Sequence, residues 1–191
     1  IGIMGSSLYL SILDNEVLAE EGTRTLTFDE AMLLDKQKKL TNGVYRDFGL
    51  VVFSQEEPNL NLTKILSPEI ERRAWKLPVL AHPSSLKLAD NGIDIIFRED
   101  DSLIISGEKA LENLKRFNYV GKSGVHRLAR GGDGSWSADW GSLAYSDEGG
   151  RVDWVRGEAT CADFKAKALE EVNTIYQGEL AKLNEKREKA I

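Results

Sequence analysis

Two glycine-rich tetrads, Gly131-Gly132-Asp133-Gly134 and Asp147-Glu148-Gly149-Gly150, divide the stretch that follows Gly124 into short segments. Glycine and aspartate supply turn conformations that other residues resist. Residues 125–130, 135–146 and 151–156 therefore read as three β segments of a Trp-rich meander spanning 124–156. The remainder reads as alternating strands and short helices. The predicted class is α+β, with a mixed or antiparallel sheet, short helices, the meander and a long C-terminal amphipathic helix.

Toward the N-terminus, Leu8, Leu10 and Ile12 alternate with their neighbours, and Asp14-Asn15 offers turn chemistry before the run 23–28, a pattern that predicts an opening β-hairpin. Thr27 or Asp29 then caps a helix carrying Ala31, Leu33, Leu34 and Leu40, with Glu30 in its first turn and Asn42-Gly43 as its stop. The apolar residues of 44–54 predict a buried strand. Ser67-Pro68-Glu69 predicts an N-cap, first-turn proline and acidic start of a further helix. Residues 92–97 and 103–106 flank a polar loop and predict a hairpin. Ala110, Leu111, Leu114 and Phe117 have helical spacing after Gly107.

The chain has 191 residues, 41% of them apolar and 29% charged, which suits one domain with a continuous core. It is read as a single domain, 1–191, with sub-parts 1–118, 124–156 and 161–191. Its 25 Lys and Arg against 31 Asp and Glu leave a net charge of -6, repulsive toward a phosphate backbone, so a nucleic-acid partner is not expected. The densest cationic stretch, Arg116, Lys122, Arg127 and Arg130, reads as ordinary surface charge.

Cys161 is the single cysteine, which excludes an intrachain disulfide and suits the cytoplasm or another reducing compartment. The chain begins at Ile1, leaving room for a targeting segment removed upstream. No apolar run is long enough to span a bilayer.

The residues able to carry chemistry are few. Gly2-Ile3-Met4-Gly5-Ser6-Ser7 has glycines of the kind that cradle phosphate, but it lacks a following Gly-Lys-Ser/Thr, and a strand rather than a helix is predicted next. His82 and His126 have no metal-ligand spacing, and no metal or other cofactor is expected. Asp94, Glu99, Asp100, Asp101 and the pair Glu108-Lys109 match a metal-dependent nuclease poorly, because the central acids fall on a predicted turn. Cys161 precedes the last predicted helix, yet it has no legible Cys-His partnership.

Two features remain. Trp136, Trp140, Tyr145 and Trp154 crowd one segment with Asp133, Asp139, Asp147 and Asp153 between them, and the even spacing of Trp136 and Trp140 places both on one face of an uninterrupted strand. Such a set serves as core, as a subunit contact, or as a sugar platform, where flat rings stack on apolar ring faces and carboxylates accept hydroxyl protons. In the last helix, Leu169, Val172, Tyr176, Leu180 and Leu183 recur at three- and four-residue steps, a narrow stripe suited to another helix. The expected function is that of a non-catalytic interaction or assembly protein, part of an oligomer or larger complex such as a viral particle. The alternative is a carbohydrate-binding module or glycan-processing enzyme built on residues 133–154.

Overall fold

The apolar run at residues 44–54 becomes an interior strand of the largest sheet among the described residues. In the computed structural model the described residues are 3–19, 22–89, 92–95 and 103–156. Their elements in chain order are β1 (Ile3–Ser7), α1 (Leu8–Leu18), β2 (Thr23–Thr25), α2 (Phe28–Lys36), β3 (Arg46–Val52), α3 (Leu60–Arg72), β4 (Val79–Ala81), a 3-10 turn (Pro83–Ser85), β5 (Leu86–Ala89), β6 (Gly92–Ile95), β7 (Ile104–Ser106), α4 (Glu108–Leu114), β8 (Tyr119–Val120), β9 (Val125–Arg130), β10 (Trp136–Trp140), β11 (Ser146–Val152) and β12 (Trp154–Arg156). The chain divides into two units, Ile1–Gly157 and Glu158–Ile191. The fold described is that of the first; the amphipathic stripe from Leu169 to Leu183 and Cys161 lie outside the described residues.

Six strands form one sheet in the order β7-β4-β3-β9-β10-β8, and three two-stranded ribbons pair β1 with β11, β12 with β2, and β5 with β6. The ladders are antiparallel except for the parallel pair of β8 and β10. The architecture is thus α+β with a mostly antiparallel sheet. Leu50, Val52, Val79, Ala81 and Val125 pack with Leu8 and Ile12 of α1 and with Leu62, Leu66 and Ile70 of α3. Phe48, Val51, Leu80, Leu128, Trp136 and Ala138 pack with Phe28 and Ala31 of α2 and with Ala110 and Leu114 of α4. Both faces of the sheet are therefore covered, and every residue of β3 is buried. Each of the larger aliphatic chains removed from water here contributes about 2 kcal/mol.

A β-bulge in β3 decides which residues face which layer. The register with β9 runs Asp47 to Ala129 and then Gly49 to Leu128, so one residue of β3 is extra. Beyond this point Leu50 and Val52 share a face with Asp47, while Phe48 and Val51 turn to the other. Gly49 makes the bulge possible: its φ is +123°, and a Cβ there would stand 2.0 Å from the Ala81 carbonyl oxygen.

Several predicted elements fold differently. The opening hairpin is a strand followed by a helix. Ser7 caps α1 by accepting from Leu10 N, Leu8 and Ile12 stack at helical spacing in the core, and Asn15 spends its side chain on Ser11 O and Thr25 rather than on a turn. The third helix starts after Asn59 rather than at Ser67; Pro68 lies inside it, and Ser67 donates to Thr63 O. The hairpin expected from residues 92–97 and 103–106 does not form, because β6 pairs with β5 and β7 with β4. The meander is likewise interrupted. β9 and β10 are neighbours, but β11 joins β1 and β12 joins β2. By contrast, the capping box at α2, with Thr27 and Glu30 bonded reciprocally, forms as the sequence indicates.

The bulge gives a direct stability test. Gly49→Ala should lose about 3 kcal/mol or more in urea unfolding, from backbone strain and overlap with Ala81 together. Gly43→Ala, at φ +78° but with open space around its Cβ position, should lose only about 1 kcal/mol.

Candidate binding groove

The site starts from a buried cation. Arg127 of β9 has no solvent exposure, and Asp47, also fully covered at its side chain, lies across the ladder on β3. Arg127 Nε donates to Asp47 Oδ1 at 2.9 Å, and Nη2 donates to the same oxygen and to Tyr45 Oη, the latter at 2.8 Å. The other oxygen of Asp47 accepts from Ser6 Oγ at 3.0 Å, while Ser6 Oγ accepts from Asp47 N at 3.1 Å. Burial pushes the Asp47 carboxyl upward, and the charge and hydrogen bonds of Arg127 and the Ser6 hydroxyl work against it. Burial likewise holds the Tyr45 hydroxyl well above the usual phenol range.

Three rings close around that guanidinium. Its carbon lies 5.3 Å from the ring centre of Tyr45, 5.8 Å from that of Trp140 and 5.3 Å from that of Tyr145, within the range of cation–π attraction. The rings also touch one another, with centroids 5.0 Å apart for Trp140 and Tyr145 and 5.5 Å for Tyr45 and Trp140. Tyr45 is buried, while the outer sides of the other two stay open: Trp140 is 37% and Tyr145 42% exposed.

These rings line a cavity of about 480 Å³ together with Tyr119, Ser135, Ser137, Asp133, Asp139 and Asp147. The carboxylates are locally oriented. Asp133 Oδ1 accepts from Ser135 N and Oγ, Asp139 Oδ1 accepts from the Ser137 hydroxyl, and Asp147 Oδ1 accepts from Gly149 N at 2.8 Å. Hydrogen bonds from Ser135 hold the Asp133 carboxyl below its ordinary range. The groove thus offers flat apolar faces beside oxygen acceptors and serine hydroxyls, the combination that suits a polyhydroxylated ligand.

The four aromatic residues singled out in the sequence separate into three environments. Trp140 and Tyr145 meet in the groove. Trp136, 4% exposed, is core: it packs with Phe28, Phe48 and Phe117, and its Nε1 donates to Asp35 Oδ2 at 3.1 Å. Register slips between Ser137 and Trp140, so the shared face expected from even spacing is lost. Trp154 stands on β12 opposite Thr25. Tyr45 and Tyr119 complete the groove, and the Arg127–Asp47 pair lies buried behind it, without having been singled out as parts of it; Tyr45 is separated from Trp140 by about half of the chain, so only the fold joins them.

Other candidates are placed as follows. Arg127 and Arg130 are buried, and Arg130 donates to Asp35 and Asn42, so the cationic stretch is not a surface patch. Residues 2–7 are followed by a helix after all, but Ser6 and Ser7 are buried and committed to Asp47 and to the cap. His126 has its Nε2 2.7 Å from the Ser123 carbonyl and its ring in a T-shaped contact with Phe53, centroids 5.5 Å apart. Glu108 and Lys109 are exposed at the start of α4, and Glu99, Asp100 and Asp101 lie outside the described residues. Among the described residues no group of three or more His, Cys, Asp or Glu could hold a metal ion, and no helix is long and apolar enough to cross a membrane.

Arg127→Met should cost about 3–5 kcal/mol in urea unfolding, because it strands a buried carboxylate, and should shift Trp emission as Trp140 loses its neighbour. Adding Asp47→Asn to that variant should recover part of the loss by removing the uncompensated charge. No family model, curated protein or solved structure matches the chain, so the groove itself carries the functional argument.

Proposed function

We propose that the chain is a non-catalytic binding protein that takes a carbohydrate in the groove between Tyr119, Trp140 and Tyr145. The observation that supports this reading is the convergence of exposed rings, three aspartates and two serines on one cavity of about 480 Å³. A sugar ring presents an apolar face to Trp140 or Tyr145 and its hydroxyls to Asp133, Asp139 and Asp147. The buried side of the rings is already packed on Arg127, so the stacking surface is held in place before a ligand arrives, which lowers the ordering cost of binding.

Titrating the full chain with a panel of neutral oligosaccharides while following Trp fluorescence tests this. At least one member should give a saturable change, and Trp140→Ala or Tyr145→Ala should weaken its binding about ten-fold or more, the loss expected of one stacking ring. A flat response across the panel contradicts the carbohydrate reading.

A protein contact is the second reading, favoured by Leu111 of α4 and by Tyr119 and Val120 of β8, which are 50%, 54% and 42% exposed. β8 is an edge strand of the sheet, and apolar residues beside an open edge suit a subunit contact. In this reading the chain assembles with itself or with other subunits, and the stripe Leu169, Val172, Tyr176, Leu180 and Leu183 adds a second contact. Light scattering on the full chain should then give more than the monomer mass, reduced by Leu111→Asp with Val120→Asp.

A further inference from the structure

Away from the groove, His82 is the hub of a buried polar junction between α1, β2 and the 3-10 turn. It is 5% exposed. Its Nδ1 accepts from Ser84 N at 3.1 Å and lies 2.8 Å from Ser84 Oγ, which makes His82 the cap of the turn. Its Nε2 lies 3.2 Å from both Leu26 O and Thr25 Oγ1. A backbone N–H can only donate and a carbonyl can only accept, so Nδ1 is bare and Nε2 carries the proton. Both ring nitrogens are committed in the neutral form.

The bonds continue outward from Thr25. Asn15 Oδ1 accepts from Thr25 N at 3.0 Å, and Asn15 Nδ2 donates to Thr25 Oγ1 at 2.9 Å, which ties the junction to α1. Thr25 pairs with Trp154 of β12, and Leu26 N donates to Asp153 O at 3.0 Å. The last described strand therefore hangs on the same junction, and beyond it the chain runs on into residues 157–191.

We propose that His82 is an acid-operated latch: a proton taken from solvent onto Nδ1 uncaps the 3-10 turn and releases β2 with its partner β12, while the six-stranded sheet stays folded. Protonated Nδ1 can no longer accept from Ser84 N, and that amide is left without its acceptor inside the protein. The charges carried by the surrounding elements are Arg24 of β2, Asp14 and Glu16 of α1, Arg46 and Asp47 of β3, Lys87 of β5, and Asp29, Glu30, Asp35 and Lys36 of α2. Arg24 and Glu30 are paired through two hydrogen bonds.

Burial first, and then the charge of Arg24, pull His82 down to about 4, with the Leu26 and Thr25 backbone and Glu30 acting in the opposite sense. In the opened junction the ring returns to about 6.5. The latch is therefore fully closed above about pH 6.5 and loses its hold as pH falls toward about 4. Over that window the opening equilibrium rises by up to about 300-fold, the ratio set by the two values. Asp14 acts oppositely. Its Oδ2 is buried without a partner, burial raises its carboxyl, and acid relieves that cost.

The test is hydrogen exchange on the full chain between pH 7.5 and 4, corrected for the intrinsic rate. Segments covering 23–26, 83–85 and 154–156 should lose protection as pH falls while β3 and β9 keep theirs, and His82→Gln should abolish that pH dependence. Asp14→Asn should leave the selective loss in place. Loss of protection across the whole chain at once, or an unchanged profile in His82→Gln, overturns the latch. If His82→Gln does not fold, the wild-type ring decides by NMR: a ring still neutral at pH 4 with β2 and β12 protected overturns it, and protonation coincident with their exposure supports it. None of these outcomes depends on the carbohydrate reading.

Discussion

A guanidinium with no exposed surface must find its counter-charge and its acceptors inside the protein, and Arg127 imposes that demand on this fold. Removing such a pair from water costs several kcal/mol per ion before anything is regained. The return comes from Asp47, Ser6 and Tyr45 through hydrogen bonds and from three ring faces through cation–π contact. Those partners come from β1, from β3 and the residue just before it, and from β10 and the loop that follows it, so one cation fixes the mutual placement of elements far apart in sequence. The bulge at Gly49 belongs to the same requirement, since it lets Asp47 share a face with Leu50 and Val52 while Phe48 faces the opposite layer.

Local signals in the sequence were reliable where one turn of chain determines the result. Thr27 and Glu30 specify their capping box without help from elsewhere, and the apolar density of residues 44–54 can only be a buried strand or a buried helix. The failures are non-local. Leu8, Leu10 and Ile12 fit a strand as well as a helix, and burial of Leu8 and Ile12 against the sheet settles the matter in favour of the helix. Strand pairing is harder still. β6 and β7 are neighbours in sequence, but β5 and β4 offer each of them a different partner, and no turn residue encodes that choice.

The groove was half legible for the same reason. Trp140, Tyr145 and the aspartates between Asp133 and Asp147 stand out as a cluster of rings and carboxylates, and the fold gathers them into one cavity. Trp136 belongs to the same cluster in sequence and to the core in space, because the register slip before Trp140 separates their faces. Arg127 looked like a surface charge, since a chain written in one letter per residue shows nothing of the carboxylate waiting on the adjacent strand.

The same pair that holds the sheet also shapes the surface beside it. Aromatic side chains in a binding wall are useful in proportion to how little freedom they lose when a ligand arrives. Trp140 and Tyr145 leave 37% and 42% of their surface open, yet both are in contact with Arg127, with each other and with Tyr45. Replacing the buried ion pair with aliphatic chains of similar volume would preserve much of the packing energy, but it would remove the directional contacts that orient the rings. The ion pair therefore orients Tyr45, Trp140 and Tyr145 in a way that aliphatic chains of the same volume could not.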